Sequence, residues 1–414
     1  MSLALTAISR GANDWSGALH IACIHGCYDL AHLMIARGAR WYNSACLHNA
    51  AKYRHYKIVK LLIENGVKHT SLLYSAFIGA QNSTIRYALS CGANDWGYAL
   101  QAACRYGHRD LVKLAIEQGA NDWDGGLAYA CRGGHRDIVE DMLARGATNY
   151  NYALAAACRG NHRELADLMI ARGATDINLA LYRACRGGHL QLALYLGELG
   201  AIAWAKSFPD ACESGNRALI DFIISRCDVN LTIGFYCACR RNRFDIMKYL
   251  STLGAINYNL CIDLIGSIDY DLEIDIVQFL ITHGANNWDV GLINAAEYGR
   301  YELALLMLEH GAKSINAALI VACHRGHREI VELMIARGAN ALNDAFAQTC
   351  HSGRYELASI ILARGATDFN TGLYFACKKK RKDLIALAIS HGAIYCKYCN
   401  RPALVHLAQT STPK

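Results

Sequence analysis

Cysteine, histidine and arginine recur along this 414-residue chain at spacings that raise questions of metal, redox, acid–base and anion chemistry. Ten of the 18 cysteines share one register: Cys23, Cys104, Cys131, Cys158, Cys185, Cys212, Cys239, Cys323, Cys350 and Cys377. A zinc site gathers several thiolates or imidazoles on one ion, and a disulfide needs Cα atoms within about 7 Å. Thiols held one helix layer apart, roughly 8–10 Å, meet neither condition. The ladder therefore reads as small buried apolar residues. Cys396 and Cys399 fall outside the register. With His406 they make part of a zinc site, and the alternative is free thiols in a terminal cap.

Histidines follow a glycine or asparagine at His108, His135, His162, His189 and His327, one per period. A catalytic histidine belongs to a unique constellation, and no single Ser, His and Asp group stands out. The repeated ring reads as a corner residue hydrogen-bonded to backbone, and the chain as no enzyme. Asp269, Asp271, Glu273 and Asp275 alternate like calcium-loop ligands. Ile274 stands where that loop needs glycine and Leu280 where it needs glutamate, so calcium is not expected.

The position just after each ladder cysteine is more informative. It reads Ile24, Lys52, Ile78, Arg105, Arg132, Arg159, Arg186, Glu213, Arg240, Glu297, His324, His351 and Lys378. The next position adds Tyr53, Tyr106, Arg241, Tyr298, Arg325 and Lys379. Arginine offers a planar fork to carboxylates, and arginine with tyrosine is common interface material. Three readings stay open: solvated helix ends, a face that binds an acidic protein surface, or a phosphate-binding face for nucleic acid. The cluster Lys378 to Lys382 strengthens either charged reading or serves as a nuclear signal. A net charge of +7 is mild for this length and does not by itself point to nucleic acid.

These residues are positioned by one repeated phrase. Gly-Ala stops recur at steps of 27 residues, with few exceptions, from Gly11 to Gly392. Such self-similarity marks a repeat architecture rather than a set of separate cores. The ruler gives a half repeat over residues 1–12, fourteen repeats over 13–393 and a tail over 394–414. In the clearest copy Asp122 is a suitable N-cap, Leu127, Ala130 and Cys131 follow helical spacing, and Gly133-Gly134 ends the helix. A second helix starts near His135, buries Ile138, Val139, Met142 and Leu143, and stops at Gly146. Neither helix is long enough to stand alone, so each must pack on its neighbours. The expected fold is all-α, a solenoid of about fourteen helix–turn–helix repeats.

The run Ala130 to Ala147, ACRGGHRDIVEDMLARGA, resembles the ankyrin repeat in its order of helix end, Gly-His corner, second helix and Gly-Ala stop. The resemblance extends over almost the whole chain, but the repeat is 27 residues where about 33 are usual. The missing residues are those of the β-hairpin finger. In their place stands a short link ending in an aromatic such as Trp96, Trp123, Tyr150, Trp204, Trp288 or Phe369, expected to fill the space between helix pairs. The resemblance places the residue after the cysteine on the concave, partner-binding surface. It implies a non-enzymatic scaffold with a protein partner, no small-molecule substrate and no resident cofactor. Regular arrays of short repeats are also similar to the expanded ankyrin families of large DNA viruses and intracellular bacteria, whose members engage host factors.

Two repeats are irregular. Residues 201–228 carry Pro209 and replace the stop glycine with Cys227, and residues 256–285 have three extra residues. The start MSLALTAISRGA shows no signal-peptide pattern and no run approaches 18 apolar residues. An intracellular, reducing location, cytoplasmic or nuclear, with free thiols and no membrane contact is expected.

Overall fold

The computed structural model describes residues 15–37, 39, 44–67, 71–254, 256–262, 270–396 and 401–402. The half repeat over residues 1–12, Trp41, Asp269, Cys399 and His406 lie outside the described residues. Among those described, 28 helices form fourteen pairs, as the ruler of glycine stops predicts. The chain divides into two compact units, Met1–Val229 and Asn230–Lys414.

The N-terminal unit contains eight pairs. Its most regular stretch comprises α1 (Trp96–Tyr106), α2 (Arg109–Glu117), α3 (Trp123–Gly133), α4 (Arg136–Ala144), α5 (Tyr150–Gly160), α6 (Arg163–Ala171), α7 (Ile177–Gly187) and α8 (Leu190–Glu198). The last pair of the unit is Trp204–Ser214, which holds Pro209, and Arg217–Arg226. Each first helix packs closely on the next first helix, whereas neighbouring second helices touch little. Small side chains permit this: Ala99, Ala102, Ala103, Ala153 and Ala157 are fully buried, and so is the cysteine of each first helix here.

Three local devices set the repeat. The Asp122 side chain caps α3 by accepting the Gly125 N–H at 3.0 Å. Gly134 ends α3 at a φ of +82°, a left-handed turn that glycine enters without strain. Gly133 is required for a different reason, because a Cβ there would lie 2.1 Å from the Arg105 carbonyl oxygen of the preceding repeat.

The third device joins one repeat to the next, and it stands where the hairpin finger is missing. In α3, α5 and α7 the second residue is an Asx whose oxygen accepts two backbone N–H groups of the following link. Asp124 Oδ1 accepts from Thr148 (2.7 Å) and Asn149 (2.8 Å), and Asn151 Oδ1 from Thr175 (2.7 Å) and Asp176 (2.9 Å). Asn178 continues the series with Ile202 and Ala203. A 27-residue repeat can thus satisfy its link donors without a strand. The link aromatics contact their own pair, as with Arg145 over Trp123 (5.4 Å), and also the preceding one: Trp204, buried, lies against Phe222 (5.1 Å) and packs on Gly197 of the preceding pair. Phe77–Trp96 does bridge neighbouring pairs, at 6.2 Å.

The C-terminal unit contains six pairs: α9 (Leu231–Arg240) and α10 (Phe244–Ser251), α11 (Asn259–Ile262) and α12 (Tyr270–Thr282), α13 (Trp288–Tyr298) and α14 (Tyr301–Glu309), α15 (Ile315–Arg325) and α16 (Arg328–Ala336), α17 (Leu342–Ser352) and α18 (Tyr355–Ala363), α19 (Phe369–Lys378) and α20 (Lys382–Ser390). Its links use the same Asx device, for example Asp289 Oδ1 with the Lys313 and Ser314 N–H groups at 2.6 and 2.7 Å. Those donors hold the Asp289 carboxyl below the usual range. In the three-residue-longer repeat, α12 spans 13 residues, taking Asp271, Glu273 and Asp275 into a helix instead of a loop. Tyr395–Cys396 and Arg401–Pro402 form a two-residue antiparallel pair at the end of the unit.

The division between the units falls just after a repeat that lacks both the Asx link and the stop glycine. Ala205 stands at the Asx position and has no acceptor. Cys227 takes the place of the stop glycine, and the backbone leaves its helix extended, at φ −136° and ψ 145°.

Candidate interaction face

The residue after the ladder cysteine lies in the last turn of the first helix, and in the N-terminal unit successive turns bring Arg105, Arg132, Arg159 and Arg186 into one neighbourhood. Burial, then Arg132, Arg186, Arg183 and Arg105, together push the Arg159 guanidinium down to about 10. Burial and the charge of Arg105 likewise lower Arg132, against the opposing effect of the Tyr129, Tyr106 and Tyr152 hydroxyls. Among the described residues, no carboxylate forms an ion pair with Arg105, Arg132, Arg159 or Arg183. Arg105 also lies over the Tyr106 ring at 5.4 Å.

Arg183 belongs to this cluster although the register of the cysteine file does not reach it. It lies three residues before Arg186 on α7, and residues at i and i+3 share a helix face. The same position in the two preceding repeats holds Tyr129 and Ala156. Ala156 opens a gap between the larger side chains on either side. The result is a pocket of about 90 Å³ lined by Tyr129, Arg132, Tyr152, Arg159 and Arg183, with Ala128, Ala155 and Ala156 completing the wall. The signal was present in the sequence as a second file, offset by three from the first.

The cluster ends at Arg186. Its guanidinium lies 3.7 Å from Asp210 and 3.4 Å from Glu213. In the C-terminal unit the corresponding positions are mixed in charge. Arg325 pairs with Glu297. His324 and His351 stack at 5.7 Å, and Lys379, His324 and Lys378 add to burial in lowering His351. Arg240 and Arg241 end α9, exposed, and Lys378 and Lys379 end α19, with Lys378 over the Tyr374 ring at 5.7 Å.

The corner histidines perform the backbone role expected of them, but across repeats. A carbonyl can only accept, so Nε2 carries the proton. It donates from His135 to the Arg105 carbonyl (3.1 Å), from His189 to that of Arg159 (3.1 Å) and from His327 to that of Glu297 (3.0 Å). Each ring therefore fastens the helix end that carries the face residue of the preceding repeat. Arg354 does the same work from another side chain, donating to the Arg325 carbonyl at 2.6 Å. His108 is the exception: its Nε2 is buried without a partner, and the ring stacks on Tyr106. Arg54 donates to the Gly79 carbonyl of the preceding repeat at 2.6 Å.

The cysteine ladder is inert by environment. Burial pushes the Cys104, Cys131, Cys158, Cys185, Cys323 and Cys350 thiols up to about 12, and all are free thiols. Among the described residues no cluster of three or more His, Cys, Asp or Glu could hold a metal ion. Cys396 lies in the terminal two-residue strand.

Paired antiparallel helices, a left-handed glycine corner and a ring fastened to the preceding repeat define a helical repeat of the ankyrin type. The family described as Ankyrin repeats (3 copies) matches residues 5–72 and 72–151, and Ankyrin repeat matches residues 316–345. Residues 5–151 and 316–345 carry ankyrin repeats. No curated protein matches it. Among solved structures, the human ASB11 ankyrin repeat domain is similar at 22% identity, covering 50% of this chain and 96% of that one, with a TM-score of 0.27. No described helix is long and apolar enough to cross a membrane.

Proposed function

We propose that the chain is a non-enzymatic scaffold that binds a protein partner through the arginine face of its first helices, centred on Arg105, Arg132, Arg159 and Arg186. The observation that carries this reading is the uncompensated charge: four guanidiniums, counting Arg183, lie together and half-buried with no described carboxylate paired to Arg105, Arg132, Arg159 or Arg183. Like charges held at close range are unfavourable unless a ligand supplies the opposite sign. Tyr106 and Tyr152, both exposed, add the flat amphipathic surface that protein interfaces favour. Within the C-terminal unit, Arg240, Arg241, Arg325, Lys378 and Lys379 form a weaker basic series of their own. The recurring cysteines and histidines have packing and fastening roles, which removes the motive for assigning them catalysis. A role as a viral or bacterial factor acting on host proteins is the finer form of this proposal, supported by the likeness of the short-repeat array.

The test is capture of partners by the full chain and by a variant with Arg105, Arg132, Arg159 and Arg186 changed to Glu. Loss of specific capture, with helicity and melting retained, supports the face. Unchanged capture removes it. Nucleic acid is the alternative ligand. It predicts binding of arbitrary DNA or RNA that falls by orders of magnitude between 50 and 200 mM salt.

A further inference from the structure

The pocket formed by α3, α5 and α7 differs from the rest of the arginine face. It is a concavity where the remainder of the file is a row, and it gathers Arg132, Arg159 and Arg183 with two phenols, Tyr129 and Tyr152, around the gap left by Ala156. Its charge is also bounded. One repeat further on, Asp210 and Glu213 neutralise Arg186. A ligand matched to this arrangement concentrates its negative charge at one point.

We propose that this pocket is a receptor for a phosphoryl group carried on a side chain of the protein partner. A phosphorylated side chain brings about −1.5 to −2 charges and three acceptor oxygens. Guanidinium forks from Arg132, Arg159 and Arg183 can each donate to such oxygens. A single carboxylate would leave most of the clustered charge unanswered. A nucleic-acid backbone would present single charges in a row, and the acidic residues beyond Arg186 interrupt any matching track. Tyr152, exposed at the rim, is available to the residues flanking the phosphorylated one. The proposal rests on the protein-binding reading of the same face.

The experiment uses the full chain. Inorganic phosphate and phenyl phosphate are titrated at constant ionic strength, balanced with chloride, and followed by calorimetry and by the shift in melting temperature. Saturable binding is expected, weakened at least tenfold in Arg159→Gln and in Arg183→Gln. It is unchanged in Arg136→Gln, whose side chain pairs with Glu140 at 3.0 Å on α4. Melting of each variant in chloride alone identifies any that fails to fold, and two pocket variants keep the test decisive. Absence of saturable binding, or equal binding by wild type and both pocket variants, overturns the proposal. So does displacement of phenyl phosphate by single-stranded RNA with steep salt dependence, which makes nucleic acid the occupant. A partner captured by the arginine face whose retention survives phosphatase treatment also overturns it while leaving the protein-binding reading intact. Failure of both capture and phosphate binding removes the two together.

Discussion

The first helices of the two compact units end in the same way and carry different electrostatic designs, basic from Arg105 to Arg186 in one and mixed in the other. In the N-terminal unit, Arg105, Arg132 and Arg159 follow one another without acid between them, and Arg183 joins them from the adjacent helical position. In the C-terminal unit Arg325 pairs with Glu297, and histidines occupy the next two repeats. The fastening of the helix ends is shared: His135 and His189 in one unit, His327 and Arg354 in the other, all donate to the carbonyl of the preceding repeat. The scaffold therefore fixes where a face residue stands but not its charge. Whatever the N-terminal face binds, its charge is dispensable to folding, because a repeat with a neutralised face is built on the same backbone contacts.

The largest effect is expected in the N-terminal unit, where glycine stands at the position held by Tyr298 and Arg325 in the C-terminal unit. Gly133→Val places carbon against the Arg105 carbonyl, a backbone atom that cannot move aside. A loss of about 3 kcal/mol or more is expected, read as a fall in melting temperature. The difference in charge comes next. Arg159→Glu should weaken partner binding by on the order of 2 kcal/mol, the scale of an interface hot spot, whereas Lys379→Glu in the C-terminal unit should change it only a few-fold. Equal losses, measured by titration of the captured partner, would erase the distinction between the units.

The fastening device predicts a smaller effect of equal size in both units. His135→Ala and Arg354→Ala each leave a helix-end carbonyl without its donor, at a cost of about 1–2 kcal/mol in denaturant unfolding. The histidine version adds a pH dependence that the arginine version lacks. Burial holds His162 and His327 below the ordinary value of 6.5, so the native state favours the neutral ring. Their contribution is complete above pH 6.5 and is lost as the pH falls below it toward the depressed native value. Unfolding followed across this range should show the decline, and His162→Asn with His327→Asn should flatten it. The smallest effect has the opposite sign. Gly97 lies in α1 with open space at its Cβ position, so Gly97→Ala should stabilise by up to ~1 kcal/mol.

Much of this was legible from local pattern. The 27-residue ruler located fourteen helix pairs because the stop glycine and the apolar spacing are properties of one repeat. The corner histidine was legible as a backbone-bonded residue, but its acceptor was not, since His135 reaches the Arg105 carbonyl 30 positions away. The Asx device was missed for the same reason. Asp124 reads as an ordinary first-turn acid, and its service to Thr148 and Asn149 becomes visible only when two repeats are stacked. Arg183 was missed because attention followed the cysteine register, although its offset of three from Arg186 placed it on the same helix face.

The amino-acid order by itself determined the number of helix pairs, where each begins and ends, and that the cysteines recur as core residues, because these depend on spacing within a single repeat. Tertiary structure alone decided which charges meet. Arg186 finds Asp210 and Glu213, while Arg132, Arg159 and Arg183 share a pocket opened by Ala156. Charges interact over a few ångströms across helices that the sequence separates by a whole repeat, so their balance is fixed only when the layers pack.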